Sequence, residues 1–177
     1  IAIINSRTLS NLAVNQAAIQ AGDTLPKIFA GGFLDAYVYI GGAGATLGLA
    51  IAMSMSKNAH IKSIGKLSVI PSVFNINEPI MFGAPIVMNP LLFIPFVGIP
   101  ILNACIAWYA TQFNLVGRII TLVPWTTPGP IGALLGTNFS ISALILSCGL
   151  VALSFFIYLP FLRVYEKSLE ETEGTLV

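Results

Sequence analysis

The chain has 177 residues, 56% of them hydrophobic and 8% charged, with a mean hydropathy of +0.88 and a formal net charge of +1. Soluble domains carry about 25% charged residues, so this composition excludes an ordinary water-soluble globule and points to a membrane protein. So small a net charge leaves no basic footprint for nucleic acid.

Residues 1–27 are mixed in character. Alanine and glutamine favour a helix around Leu12–Ala21, Gly22-Asp23 stops it, and Pro26 opens the next segment. A short amphipathic helix or loop, at the membrane surface or within the protein, is expected. The chain starts at Ile1 without a signal-peptide pattern, and it reads as a fragment of a longer chain or a trimmed one.

Phe29–Met55 is the first candidate span, with Asp35 near its start. Asp35 reads either as an acid at a helix start or as a cavity residue, and composition does not separate the two. The stretch "GGAGATLGLA" contains Gly42-x-Gly44, but the next glycine is Gly48, no strand precedes it and no acid follows at the right distance. It is therefore not a dinucleotide loop. Gly44 and Gly48 read instead as small residues that let two helices approach in lipid.

Lys57, Lys62 and Lys66, with His60 among them, form the basic cluster expected of a cytoplasmic loop. His60 has no neighbour that would complete a metal site. Next comes "VFNINEPIMFGAPIVMNP" (Val73–Pro90), with Pro79, Pro85, Pro90 and three asparagines, preceded by Pro71. Each proline removes a backbone donor and disfavours helix before it. Irregular backbone survives at membrane depth only where protein or a wet cavity surrounds it. This predicts a re-entrant hairpin with its tip at Asn75–Glu78 and arms of roughly 11 residues, each reaching about halfway through a ~30 Å core.

Leu91–Gln112 is the second span, with Pro95 and Pro100 expected to kink its first half. Arg118–Asn138 is rich in Pro and Gly and reads as another broken, partly inserted segment. Phe139–Arg163 is the last span. The tail "RVYEKSLEETEGTLV" reads as polar, helical at first and then frayed. Cys105 and Cys148 fall in apolar segments and read as lipid- or helix-packed thiols. Charge bias favours the hairpin: a full span over residues 67–90 would put the Lys57–Lys66 and Arg163–Lys167 clusters on opposite faces.

The lone carboxylate of the hairpin is Glu78, with no other charge between Lys66 and Arg118. Placing such a group in a membrane segment costs about 2.5–3.5 kcal/mol. One reading is a cap for a half-helix. The other is a contact to substrate in a polar cavity at the membrane midplane, shared with Asn75 and Asn77 on broken helices. Trp125, beside Thr126 and Thr127, is a second candidate, since an aromatic face next to hydroxyls suits a sugar ring; the alternative is an interfacial tryptophan. Trp108 and Tyr109 read as belt or packing residues.

The segments "PSVFNINEPIMFGAPIVMNPLLFIPFV", "FLDAYVYIGGAGATLGL", "VPWTTPGPIGALLGT" and "YLPFLRVYEKSLEE" resemble, in the same chain order, the IIC components of the bacterial sugar phosphotransferase system, lactose/cellobiose (diacetylchitobiose) family. The resemblance covers nearly the whole chain and only the C-terminal part of such a permease. It implies an all-α membrane protein with about three transmembrane helices plus two re-entrant or broken segments. Residues 1–177 would then be part of one membrane-embedded domain, multi-pass in the bacterial inner membrane, with no separate soluble domain.

The resemblance further implies that the complete protein translocates a β-linked disaccharide, which a cytoplasmic IIB partner, charged by IIA, phosphorylates at the C6 hydroxyl. Glu78 would orient or deprotonate that hydroxyl, with Asn75, Asn77, Trp125 and Thr126 binding the sugar. The complete protein would be a homodimer, and neither cofactor nor metal is expected. The family also carries a sugar-site histidine in a GIHG-like segment, which His60 does not match, so this part alone is not expected to transport. A non-transporting membrane module and a secondary sugar transporter without phosphoryl coupling stand as alternatives.

Overall fold

The computed structural model describes residues 2–175, with side chains over residues 4–169, and the regular structure among them is helical throughout. Seven α-helices succeed one another along the described residues: α1 (Ala2–Ala21), α2 (Leu47–Ser54), α3 (Ala59–Val73), α4 (Glu78–Gly83), α5 (Pro90–Gln112), α6 (Gly129–Gly136) and α7 (Ile141–Thr175). A π-helical turn at Leu34–Val38 and a 3-10 turn at Ile86–Met88 complete the described elements. Only α5 and the Ile141–Leu169 part of α7 are long and apolar enough, among the described residues, to cross a bilayer.

The helix boundaries arise from local chemistry. Asn58 starts α3 by accepting hydrogen bonds from the His60 and Ile61 amides at 3.0 and 3.1 Å. Asn89 starts α5 by accepting from Leu91 N–H at 3.0 Å, with Pro90 in the first helical position. The α1 stop falls at Gly22 as expected, with φ +74° and Asp23 N–H returning to the Ala18 carbonyl. α3 ends the same way on Asn75 (φ +62°): Ile76 N–H bonds the Pro71 carbonyl, and Asn75 N–H bonds that of Ser72.

The expected hairpin is present, with unequal arms. The 15-residue α3 leads into the tip, and a six-residue α4 leads out of it. The 3-10 turn then passes directly into α5, which continues through Pro95 and Pro100. The broken character of Arg118–Asn138 is also present: a non-helical stretch tied to α6 by Ile120 N–H on the Gly136 carbonyl at 2.9 Å. The last residues of the tail, where fraying was expected, lie outside the described residues.

Phe29–Met55 differs from the expectation of a single span. Gly41, Gly42 and Gly44 all hold positive φ (+88°, +93° and +82°) and separate the π-helical turn from α2. The carbonyls freed by this break find side-chain donors elsewhere in the fold. Ser147 on α7 donates to Ala36 O at 2.8 Å, and Tyr158 on α7 donates to Gly44 O at 2.7 Å. Thr46 donates to Gly41 O at 2.6 Å. Irregular backbone is thus satisfied by protein, as a chain at membrane depth requires.

Gly48 makes the close helix contact read from the sequence. A Cβ there would stand 2.4 Å from Phe155 N, a backbone atom of α7. Gly44 is not part of that helix; it lies in the loop against the Phe96 ring. Gly65 lets α3 approach α2 equally closely, its Cβ position being 2.2 Å from Ser54 N. Two apolar clusters result: one around Phe33, Tyr37, Ala107 and Leu150, the other around Leu49, Met53, Ile61, Ile80 and Tyr158. Cys105 and Cys148 lie exposed on the surfaces of α5 and α7, the two apolar helices.

Candidate functional site

Three breaks in helix meet at one place: the loop after the π-helical turn (residues 39–46), the hairpin tip (74–77) and the stretch before α6 (124–128). Asn75 joins all three. Its Oδ1 accepts from Gly41 N–H at 2.7 Å, and its amide donates to the carbonyls of Trp125 at 2.6 Å and Thr127 at 3.1 Å. Asn77 donates to Ala43 O at 2.7 Å. Gly42 is needed here, because a Cβ would stand 2.7 Å from Asn77 Cγ and 2.9 Å from Asn75 O.

A cavity of about 210 Å³ opens beside this junction, lined by Asp35, Tyr39, Gly42, Ala43, Asn75 and Trp125. A second cavity of about 520 Å³ shares Asp35, Tyr39 and Trp125 with it and extends toward Asn5, Thr8 and Leu9 of α1. The larger volume is of the order that holds small organic ligands. The lining combines what a carbohydrate needs: aromatic rings on Trp125 and Tyr39, both substantially exposed, and the carboxylate of Asp35. Asp35 is partly buried, and among the described residues no hydrogen bond or ion pair reaches its carboxylate. The structure thus answers the question left open for Asp35: it lines the cavity as well as opening the turn.

The residues expected from sequence are brought together only in part. Trp125 and Asn75 line the smaller cavity, whereas Asn77 is turned into the loop contact and 9% exposed. Glu78 opens α4 with its side chain exposed, and it lines neither cavity. It does not cap α4 either: the N-cap is Asn77, and no side-chain capping bond forms there. Among the described residues the Glu78 side chain is therefore exposed rather than enclosed. Thr126 is likewise exposed and lines neither cavity; its neighbour Thr127 supplies the carbonyl that Asn75 holds. Sequence reasoning missed Tyr39, whose only signal is its place four residues after Asp35.

The fold and the site together have the character of a membrane permease component, and comparison with known proteins agrees. The family described as "Phosphotransferase system, EIIC" matches residues 1–100, more than half of the chain, which therefore belongs to it. The chain is 41% identical over 169 residues to the PTS system lactose-specific EIICB component of Staphylococcus aureus (strain N315), covering 94% of this chain and 30% of that protein. It is 41% identical over 164 residues to the lichenan permease IIC component of Bacillus subtilis (strain 168), covering 92% and 36%.

Among solved structures it resembles the transporter ChbC, the IIC component from the N,N′-diacetylchitobiose-specific phosphotransferase system. The TM-score is 0.90 at 40% identity, over 97% of this chain and 40% of that one. The chain thus spans about 30–40% of the length of these relatives. It is an all-helical membrane protein of the EIIC family, as its motifs indicated.

Proposed function

We propose that the protein is the part of a phosphotransferase permease that holds a disaccharide of the cellobiose, lactose or chitobiose class during uptake. The observation that carries this reading is the cavity where three helix breaks converge, lined by Trp125, Tyr39 and the partly buried carboxylate of Asp35. The named relatives act on lactose, lichenan and N,N′-diacetylchitobiose systems, all built from sugars, which supports the same ligand class. Thr126 belongs with the sugar-binding residues only if the bound ring reaches past the lining of the two cavities.

In this reading Glu78 faces a portion of the site that the rest of the permease completes. There it orients the sugar's C6 hydroxyl or takes its proton while a cytoplasmic IIB partner, recharged by IIA, delivers the phosphoryl group. The added charge disfavours return through an apolar route. The basic groups of Lys57–Lys66 and Arg163–Lys167 mark the cytoplasmic face, so the chain crosses the bacterial inner membrane more than once. The complete protein works as a homodimer.

The test is uptake by cells that carry the permease with or without its IIA and IIB partners. Sugar phosphate should accumulate only when both partners are present. Free sugar accumulating without them would show a secondary transporter, and absence of sugar binding would leave a non-transporting membrane module.

A further inference from the structure

An asparagine amide has two N–H donors and one carbonyl oxygen to offer. Asn75 lines the smaller cavity, yet both its donors are occupied by the Trp125 and Thr127 carbonyls, and its oxygen holds Gly41 N–H. No donor remains for a sugar hydroxyl, and only the second lone pair of an oxygen already held by Gly41 N–H is left as an acceptor. We infer that Asn75 is a positioning residue whose amide clasps the three broken segments together, fixing Trp125 and the Gly41–Ala43 loop around the cavity without itself holding sugar.

The anchor of the clasp is the end of α3. Asn75 sits in the left-handed position that closes this helix, so its backbone is set by the Pro71 and Ser72 carbonyls. Asparagine is among the few residues other than glycine that take this conformation readily, and it alone of the two carries an amide. Its partners lie 34, 50 and 52 residues away in sequence. All three are backbone groups outside regular helix, so no helical neighbour supplies a substitute bond. Glutamine would be one methylene too long for these distances, and aspartate would lack both donors. Asn77 on Ala43 O is a second tie across the same seam, of one hydrogen bond, and Gly42 keeps the two loops in direct contact.

This inference rests on the sugar-site reading, and its test separates the two. Asn75→Gly keeps the left-handed backbone without strain and deletes only the amide. The full chain is labelled with 5-fluorotryptophan, and the Trp125 resonance is assigned by its loss in Trp125→Phe. In Asn75→Gly the unliganded Trp125 resonance should shift or broaden while that of Trp108 stays, and cellobiose affinity should fall roughly ten- to hundredfold. Asn75→Asp, which keeps the acceptor for Gly41 and loses both donors, should give the same shift and carries the test if the glycine variant does not accumulate.

A fall in affinity with an unchanged unliganded Trp125 resonance would make Asn75 a direct sugar contact and overturn the clasp. A shifted resonance with unchanged affinity in the folded fraction would reduce it to a structural tie and overturn its positioning role. If the complete wild-type permease binds none of cellobiose, lactose and N,N′-diacetylchitobiose, the sugar reading fails. The unliganded Trp125 resonance still decides the clasp, which an unchanged signal would refute.

Discussion

Adding one methyl group at Gly48 should destabilise the protein, whereas the same change at Gly149 should not. The Cβ of an alanine at position 48 would lie 2.4 Å from Phe155 N, 2.8 Å from Ser154 C and 2.9 Å from Phe155 Cα. Packed carbon atoms sit about 3.5–4.0 Å apart, so α2 and α7 would have to separate by roughly 1 Å. All three obstructing atoms are backbone of a long helix, and none can rotate aside. Overpacking costs about 1–3 kcal/mol, and a rigid obstacle puts this case near the top of that range. Alanine's better helix propensity offsets at most about 1 kcal/mol, leaving a net loss of about 2 kcal/mol.

Gly149 lies in α7 with nothing within 4 Å of its Cβ position, so only the propensity gain applies there. Reversible unfolding of the purified chain in mixed micelles would measure both variants. Equal stability for Gly48→Ala and wild type, or a similar loss at both positions, would refute the close contact between α2 and α7.

Other substitutions probe the site and the α1 attachment. Trp125→Phe should weaken cellobiose binding moderately, because part of the aromatic contact survives, and Trp125→Ala should weaken it further. Titration of the sugar against membranes would show this, and unchanged affinity in the alanine variant would assign Trp125 to the membrane interface instead. Asn15 is fully buried, donating to the Lys27 and Ile119 carbonyls at 2.8 and 3.0 Å and accepting from Lys27 N–H at 3.0 Å. Asn15→Ala leaves these groups without partners and should cost about 3 kcal/mol. A loss under about 0.5 kcal/mol in the same unfolding assay would mean that α1 is not fastened there.

What the sequence made legible were features written in local chemistry. The hairpin could be seen because Pro79, Pro85 and Pro90, with three asparagines in the same stretch, disfavour a regular span, and the α1 stop because Gly22 accepts the left-handed turn. The break inside Phe29–Met55 was hidden. Its average hydropathy suits a span, and the groups that make the break tolerable, Ser147 and Tyr158, lie 111 and 114 residues from the carbonyls they serve. The site shows the same division. Asn75, Asn77 and Glu78 stand out as polar residues in an apolar run, but the direction each side chain takes depends on partners that meet only in three dimensions. Asn75 finds Gly41 and Trp125, Asn77 finds Ala43, and Glu78 finds no capping role.

The role of the hairpin carboxylate is tested most directly by phosphoryl transfer in membranes that carry Glu78→Gln. The substitution keeps the size of the side chain and removes its charge and basicity. With IIA and IIB supplied, membranes with the complete wild-type permease should convert labelled cellobiose, lactose or N,N′-diacetylchitobiose to sugar phosphate, and membranes with equal amounts of the complete Glu78→Gln permease should form almost none. Sugar phosphate formed at the wild-type rate by the variant would contradict the account.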